Sequence, residues 1–278
     1  MNKTIVITGG SDGLGKAIAK ELINDSNNNI VIISHNIDNL TKTANELKCD
    51  YMLCDVTDYN SVENTIKSII KKYKKIDCLI NSAGVWLAGD PTENSYESIS
   101  NCIDVNTKGT IYMTKAVLNS MYENKDGLII NVCSQASFDN DDFSSIYNAS
   151  KWAIRGFNRS IQKLASKKGV RITGFYPGFM QTNLFKKAGN NYDTSTGLET
   201  KKAAKAISFI INTGNDVIIP EFGIKDIENY WKNTNITVSV FLHILANPVL
   251  LTLNIEIKFK WHDNHRSLKS FLFINWFS

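Results

Sequence analysis

Seven short runs dominated by apolar residues, most of them rich in Val and Ile, recur along residues 1–225: TIVIT (4–8), NIVIIS (29–34), YMLCD (51–55), DCLINS (77–82), GLIINVCS (127–134), VRITGFYP (170–177) and DVIIP (216–220). Most are apolar at successive positions rather than at alternate ones, so both faces of each strand must be buried. Stretches with helical spacing lie between them, at 14–22, 37–47, 61–73 and 201–212, and a further helix is expected between 134 and 170. Strands buried on both sides and joined by helices make a parallel sheet covered by two helix layers. The predicted fold class is α/β: a Rossmann-like, doubly wound parallel sheet in three α/β/α layers. Ligands bind such sheets beyond the carboxyl ends of the strands, so functional residues are sought there.

Residues 1–228 read as one domain of this kind. After about Asp226 the alternation stops, and residues 229–278 read as a separate apolar, aromatic and basic extension. The chain has 278 residues, 43% apolar and 21% charged, as in a soluble globular protein. Its net charge of +4 is too small to suggest a nucleic-acid partner. The five cysteines, Cys49, Cys54, Cys78, Cys102 and Cys133, are odd in number and form no C-x-x-C pair. They read as reduced thiols, which points to a cytoplasmic protein. The first residues do not read as a signal peptide, because their short apolar run leads straight into glycines.

The turn after the first strand, TGGSDGLG (8–15), places Gly9, Gly13 and Gly15 where a backbone must turn tightly and approach a pyrophosphate. The helix that follows offers free N–H groups and a favourable dipole to the phosphates. Asp55, at the end of the third strand, is placed to accept from an adenine amino group; alone it reads equally well as a helix N-cap. The small residues of NSAG (81–84), ending the fourth strand, allow a ligand close by, or form an ordinary turn.

In SIYNASKW (145–152), Tyr147 and Lys151 share one helix face. Alone they are either two surface side chains with apolar stems or a tyrosine made acidic by a lysine. Cys133 lacks a nearby histidine and alternates away from Ser134, so it reads as core rather than as a nucleophile. The H-x-x-H of HDNH (262–265) has no further ligand nearby, and no metal site is expected.

Taken together and in this order, the Gly-rich turn, Asp55, Asn81–Gly84, Asn106, Ser134, Tyr147-x-x-x-Lys151 and Pro177-Gly178 followed by Thr182 resemble the compact, single-domain branch of the short-chain dehydrogenase/reductase family. The resemblance spans about residues 3–225. It implies an NAD(P)-dependent oxidoreductase that interconverts a carbonyl and an alcohol, and a homodimer or homotetramer. Tyr147 would be the general acid or base, assisted by Lys151, which also holds the nicotinamide ribose. Ser134 would bond the substrate oxygen, and Asn106 would hold a water that relays protons. The cofactor would run along Gly9, Ser11, Asp12, Gly13, Leu14, Gly15, Ser34, His35, Asp55, Val56, Asn81, Ala83, Gly84, Tyr147, Lys151, Pro177, Gly178 and Thr182. A regulator that binds the cofactor without catalysis needs only the glycine turn, and the intact Ser134–Tyr147–Lys151 set argues against it. A sugar-nucleotide epimerase or dehydratase of the same fold differs in glycine spacing and carries a larger substrate region.

The second strand ends in Ser34 and His35, without the carboxylate that selects the ribose diol of NAD. That favours NADP(H). Asp12 opposes it, because a carboxylate there would repel a 2′-phosphate. Residues 182–200 should form a short lid over the site. Phe179, Met180, Leu184 and Phe185 are placed to line a pocket or to anchor the lid, and Trp86 and Leu87 are further pocket candidates. The extension holds five basic and two acidic side chains. Its apolar run at 236–251 is shorter than the ~20 residues of a spanning helix. It reads as packing on the parent domain or across a subunit interface, as a peripheral membrane anchor, or as a poorly folded tail.

Overall fold

In β1 (Lys3–Thr8) of the computed structural model, Ile5 and Ile7 point to one side of the sheet and Val6 to the other. The structure describes residues 3–25, 28–139, 143–227, 236–246, 249–262 and 267–277. Six further strands extend the sheet: β2 (Asn28–Ser34), β3 (Asp50–Leu53), β4 (Cys78–Asn81), β5 (Gly127–Val132), β6 (Val170–Pro177) and β7 (Glu221–Ile224). All pair in parallel, in the order β3-β2-β1-β4-β5-β6-β7. The direction of winding reverses between β1 and β4, which opens a crevice beyond the ends of those two strands.

One face of the sheet is covered by α1 (Gly13–Leu22), α2 (Ile37–Leu47) and α8 (Thr200–Ile211), through Ile18, Leu40 and Ile207. The other face meets α3 (Tyr59–Tyr73), α5 (Gly109–Asn124) and α6 (Ser145–Ser166), through Ile66, Val117 and Ala165. This explains the unbroken apolar runs, since each strand serves two cores. Each fully buried Ile or Val contributes about 1.5–3 kcal/mol, so packing rather than helix propensity holds the layers.

α4 (Tyr96–Ile103) runs into a π turn, Asp104–Lys108, and then into α5. Neither helix advertises itself in the sequence. α4 buries only Cys102 fully, and α5 buries Thr110 and Thr114 on its inner face, which blurs its apolar stripe. A short helix, α7 (Leu184–Lys187), lies within the expected lid.

The last strand of the sheet is not 216–220, as the sequence suggests, but Glu221–Ile224. Arg171 holds the preceding segment as a turn, donating to the carbonyls of Gly214 and Val217 and to Asn215 Oδ1. Val217 and Ile218 are left exposed. Pairing begins where the Gly174 N–H donates to the Pro220 carbonyl, and Pro220 has no N–H to offer the ladder.

The chain divides into two units, Met1–Ile224 and Lys225–Ser278. In the second, β8 (Ile236–Ala246), β9 (Val249–His262) and β10 (Ser267–Phe277) form an antiparallel sheet in the order β10-β9-β8. The described residues of the apolar run at 236–251 thus belong to β8 and the start of β9. Register places Val238, Val240 and Leu242 opposite Ile257, Ile255 and Leu253. Trp231 and most of the HDNH stretch lie outside the described residues. Among the described residues no helix is long and apolar enough to cross a membrane.

Gly156 sits inside α6, and a Cβ added there would meet nothing within 4 Å. Gly156→Ala should therefore stabilise the protein by about 0.5–1 kcal/mol, read as a higher midpoint in urea or thermal unfolding.

Candidate active site

The turn between β1 and α1 is packed too tightly for side chains. Gly9 has φ +65°, and a Cβ there would lie 2.9 Å from the Ala83 backbone. A Cβ on Gly15 would lie 2.3 Å from the Gly9 carbonyl oxygen. Thr8 Oγ1 accepts the N–H groups of Ser82 and Ala83, both at 3.0 Å, and so fixes the end of β4 beside the turn. The first N–H groups of α1 lack helical partners and face this end of the sheet. Leu14, the second residue of α1, turns its side chain into the core.

Asp12, at the N-cap of α1, makes an ion pair with Lys187 of α7 at 2.8 Å. Partial burial opposes its charge, but Lys187, the Gly13 N–H and Asn183 together hold its carboxyl below the usual range. The carboxylate expected to repel a 2′-phosphate is therefore already paired with a cation. At the end of β2, Ser11 donates to the Ser34 hydroxyl at 3.0 Å, and the Asn36 N–H also donates to Ser34. His35 beside them is exposed.

Asp55 is exposed, and its Oδ1 accepts from the N–H and hydroxyl of Thr57. The cap of α3 is Asp58, not Asp55. Val56 is buried under α5, close enough that a Cβ on Gly109 would lie 2.7 Å from it.

Asn81 turns its side chain into the sheet rather than toward the crevice. Its Nδ2 donates to Asn131 Oδ1 at 2.7 Å and to Thr114 Oγ1 at 3.1 Å. Asn131 in turn donates to Asn158 Oδ1 of α6 at 2.6 Å. This line of buried amides ties β4 and β5 to α6. Asn131 is a polar residue in an apolar run, which is the sequence signal that could locate it; Asn158, between Phe157 and Arg159, carries no such signal.

α6 presents Tyr147 and Lys151 one turn apart, with the lysine Nζ 5.7 Å from the tyrosine ring centroid. Lys151 is buried, and its Nζ donates to the Val132 carbonyl at 3.1 Å. A Cβ on Gly84 would stand 3.8 Å from the same Nζ. The ammonium thus lies at the ends of β4 and β5. Burial lowers its pKa, and the nearby Cys133 and Cys102 only partly oppose the shift. Among the described residues no carboxylate pairs with it.

Asn106, in the π turn, is fully buried. Its Oδ1 accepts from the Val85 N–H at 2.8 Å, and its Nδ2 donates to the Val85 carbonyl and to Ser150 Oγ, each at 2.9 Å. Both amide hydrogens are therefore engaged, and the side chain positions Val85 and α6. Ser150, which nothing in the sequence singles out, completes the link by donating to the Tyr147 carbonyl at 2.7 Å. Ser134 ends the β5 segment half-buried, and its Oγ accepts from the Ala136 N–H. The turn that follows is held by Arg155, which donates to the Ser137 carbonyl and pairs with Glu221. Cys133 packs against Ile154 and Tyr176, and burial pushes its thiol up to about 12, which removes it as a nucleophile near neutral pH.

Beyond Pro177, the Gly178 N–H donates to the Ile224 carbonyl. Thr182 comes within 3.9 Å of where a Cβ on Gly13 would stand, so the start of the lid overlies the glycine turn. Reciprocal bonds between Phe179, Gln181 and Leu198 close the base of the lid. Met180 packs against the core and anchors the lid, whereas Phe179 and Phe185 belong to a ring cluster that also contains Trp86. No group of His, Cys, Asp and Glu able to hold a metal occurs among the described residues.

The sequence pattern described as short chain dehydrogenase matches residues 3–193. The chain belongs to the short-chain dehydrogenase family. It is 30% identical over 227 residues to an uncharacterized oxidoreductase of Staphylococcus epidermidis, covering 81% of this chain and 97% of that one. Its fold is similar to an alcohol dehydrogenase from the archaeon Thermococcus sibiricus complexed with 5-hydroxy-NADP, with TM-score 0.74, 27% identity and 81% and 97% of the two chains covered. It is also similar to the closed form of a serine dehydrogenase complexed with NADP+, with TM-score 0.77, 26% identity and 84% and 98% covered. This short-chain dehydrogenase is accordingly an oxidoreductase of Rossmann-like fold.

The buried Lys151 generates a stability prediction. Its lowered pKa means that the folded state disfavours the ammonium, a cost present at neutral pH that fades as pH rises and the proton leaves. Lys151→Met should raise stability near pH 7 by on the order of 1 kcal/mol. The gain should shrink as the pH is raised toward about 10. Denaturant titrations of both proteins across that range measure it.

Proposed function

We propose that this oxidoreductase interconverts a carbonyl compound and an alcohol, with NADP(H) preferred over NAD(H). The observation that carries the reading is the placement of the Lys151 ammonium at the joined ends of β4 and β5, one helical turn from Tyr147 and on the same end of the sheet as the glycine turn. The turn fits a nicotinamide dinucleotide: its glycines pack backbone against backbone at Gly9 and Gly15 with no side chain to intrude, and α1 supplies N–H donors for a pyrophosphate. Such a cofactor, when bound, supplies or accepts the hydride.

The residues of the chain have separate tasks. Gly9 to Gly15 would hold the pyrophosphate, with Thr182 above the turn. Asp55, the Val56 backbone, Ala83 and Gly84 would border the adenosine and nicotinamide ribose. Asn81 acts from beneath, by holding the strand end. Tyr147 gives its phenolic proton to the substrate oxygen during reduction and takes it back during oxidation. Lys151 stabilises the negative charge that develops on the phenol oxygen. Ser134 donates to the same substrate oxygen. Asn106 keeps the segment after Gly84 in place. A water relaying protons at Asn106 would have to donate to a carbonyl oxygen, Oδ1 or main chain, since both side-chain amide hydrogens are engaged.

Three features support NADP(H). The β2 end offers the Ser11 and Ser34 hydroxyls and His35, with no carboxylate at that point. Lys187 neutralises Asp12. Both solved relatives described above hold NADP or its derivative.

Tyr147→Phe should lower carbonyl-dependent NADPH oxidation by about 10²–10⁴-fold, the usual worth of a general acid, while leaving NADPH binding in place. Undiminished turnover would overturn the mechanism. His35→Ala should weaken NADPH binding relative to NADH, because the exposed imidazole stands at the end of β2 where a 2′-phosphate would lie. Dissociation constants of both dinucleotides for both proteins test this, and an unchanged ratio would remove His35 from the 2′-phosphate site.

A further inference from the structure

Five aromatic rings from separate stretches of chain meet at the mouth of this site. Trp86 lies two residues beyond Gly84, and Phe143 four residues before Tyr147. The Gly89 N–H donates to the Phe143 carbonyl at 2.8 Å, so these two stretches are fastened together. Phe179 follows the β6 end, and Phe185 and Tyr192 come from the lid.

Trp86 is the hub. Its ring meets Phe185 at 4.7 Å and Tyr192 at 5.6 Å, both edge to face, and Phe143 at 6.2 Å. Phe185 continues to Phe179 at 5.3 Å and to Tyr192 at 5.6 Å. Trp86 is only 8% exposed, but Phe143 and Tyr192 are 45% and 47% exposed and form an open rim. Rings left half in water at a crevice mouth lose that exposure when a flat apolar group joins them. None of the five members carries a charge; of the two lysines in α7, Lys187 is occupied by Asp12, and Lys186 is exposed to water, where pairing with a carboxylate is worth little. The cluster therefore offers nothing to hold a substrate carboxylate.

We infer that the substrate is a neutral carbonyl compound bearing an aryl or similarly flat apolar group, held against the exposed rings of Phe143 and Tyr192, which rest on Trp86. This rests on the proposed carbonyl–alcohol reaction and specifies its substrate class. The reacting oxygen lies toward Ser134 and Tyr147, and the apolar group lies on the ring rim.

The test compares benzil with diacetyl, which share a diketone and differ in phenyl against methyl, and with acetoacetate, an anion. Initial rates of NADPH oxidation and equilibrium dialysis of benzil are measured on the full chain, on Trp86→Ala and on Trp86→Phe. The expected kcat/KM for benzil exceeds that for diacetyl by about tenfold or more, the discrimination a fitted apolar pocket provides, and acetoacetate ranks last. Trp86→Ala should bring the benzil-to-diacetyl ratio toward one and weaken benzil binding, and Trp86→Phe should restore part of both. A ratio near one in the wild type, or preference for acetoacetate, overturns the substrate assignment and leaves the carbonyl reaction standing. Benzil binding that depends on Trp86, with no turnover of any of the three, overturns the reaction and leaves the aromatic site. Benzil binding that is absent or indifferent to Trp86 overturns the aromatic site.

Discussion

Three asparagine side chains in line, Asn81, Asn131 and Asn158, set the spacing on which the site depends. An amide buried without partners costs about 1–3 kcal/mol, so each member enforces the position of the next. The line crosses from β4 through β5 to α6. It therefore fixes the distance between the strand ends that carry Gly84 and Ser134 and the helix that carries Tyr147 and Lys151. Backbone pairing alone aligns β4 with β5 but does not set the height of a helix above them. The amides do that beneath the point where a buried cation has to be held.

The same logic repeats with smaller parts. Thr8 bonds two backbone N–H groups at the end of β4, and Asn106 bonds both polar groups of Val85 two residues after Ala83. The NSAG segment is therefore gripped from both sides. The π turn places Asn106 for this, since one extra residue in a helix rotates the side chains that follow it. Strict glycines on one side and engaged amides on the other leave this backbone little freedom.

Much of this architecture is legible in the sequence. Apolar runs identify β1 to β6 and their burial on both faces, and the glycine spacing identifies a turn that no other residue fits. Tyr147, Lys151 and Ser134 stand out through their order and spacing. The supporting residues do not. Ser150 and Thr8 are small hydroxyl residues whose roles arise only from partners 44 and 74 residues away. The β7 segment is hidden because Val217 and Ile218 resemble a strand while Arg171 holds them in a turn. Lys187 is invisible as the partner of Asp12 because a lid of 15 residues or so carries no periodic pattern to locate it.

The closed base of the lid has an architectural consequence. Phe179, Gln181 and Leu198 join the two ends of the loop before it leaves the sheet, and the Gln181 amide adds bonds to the Ser195 and Gly197 carbonyls. Everything between Thr182 and Thr196 hangs from a clasp of fixed width. Doubling the length of such a loop costs only about 0.6 kcal/mol in closure entropy. The segment is thus an exchangeable cassette: its length and lining can drift through insertion or replacement while Tyr147 and Lys151, anchored in another part of the fold, stay where they are.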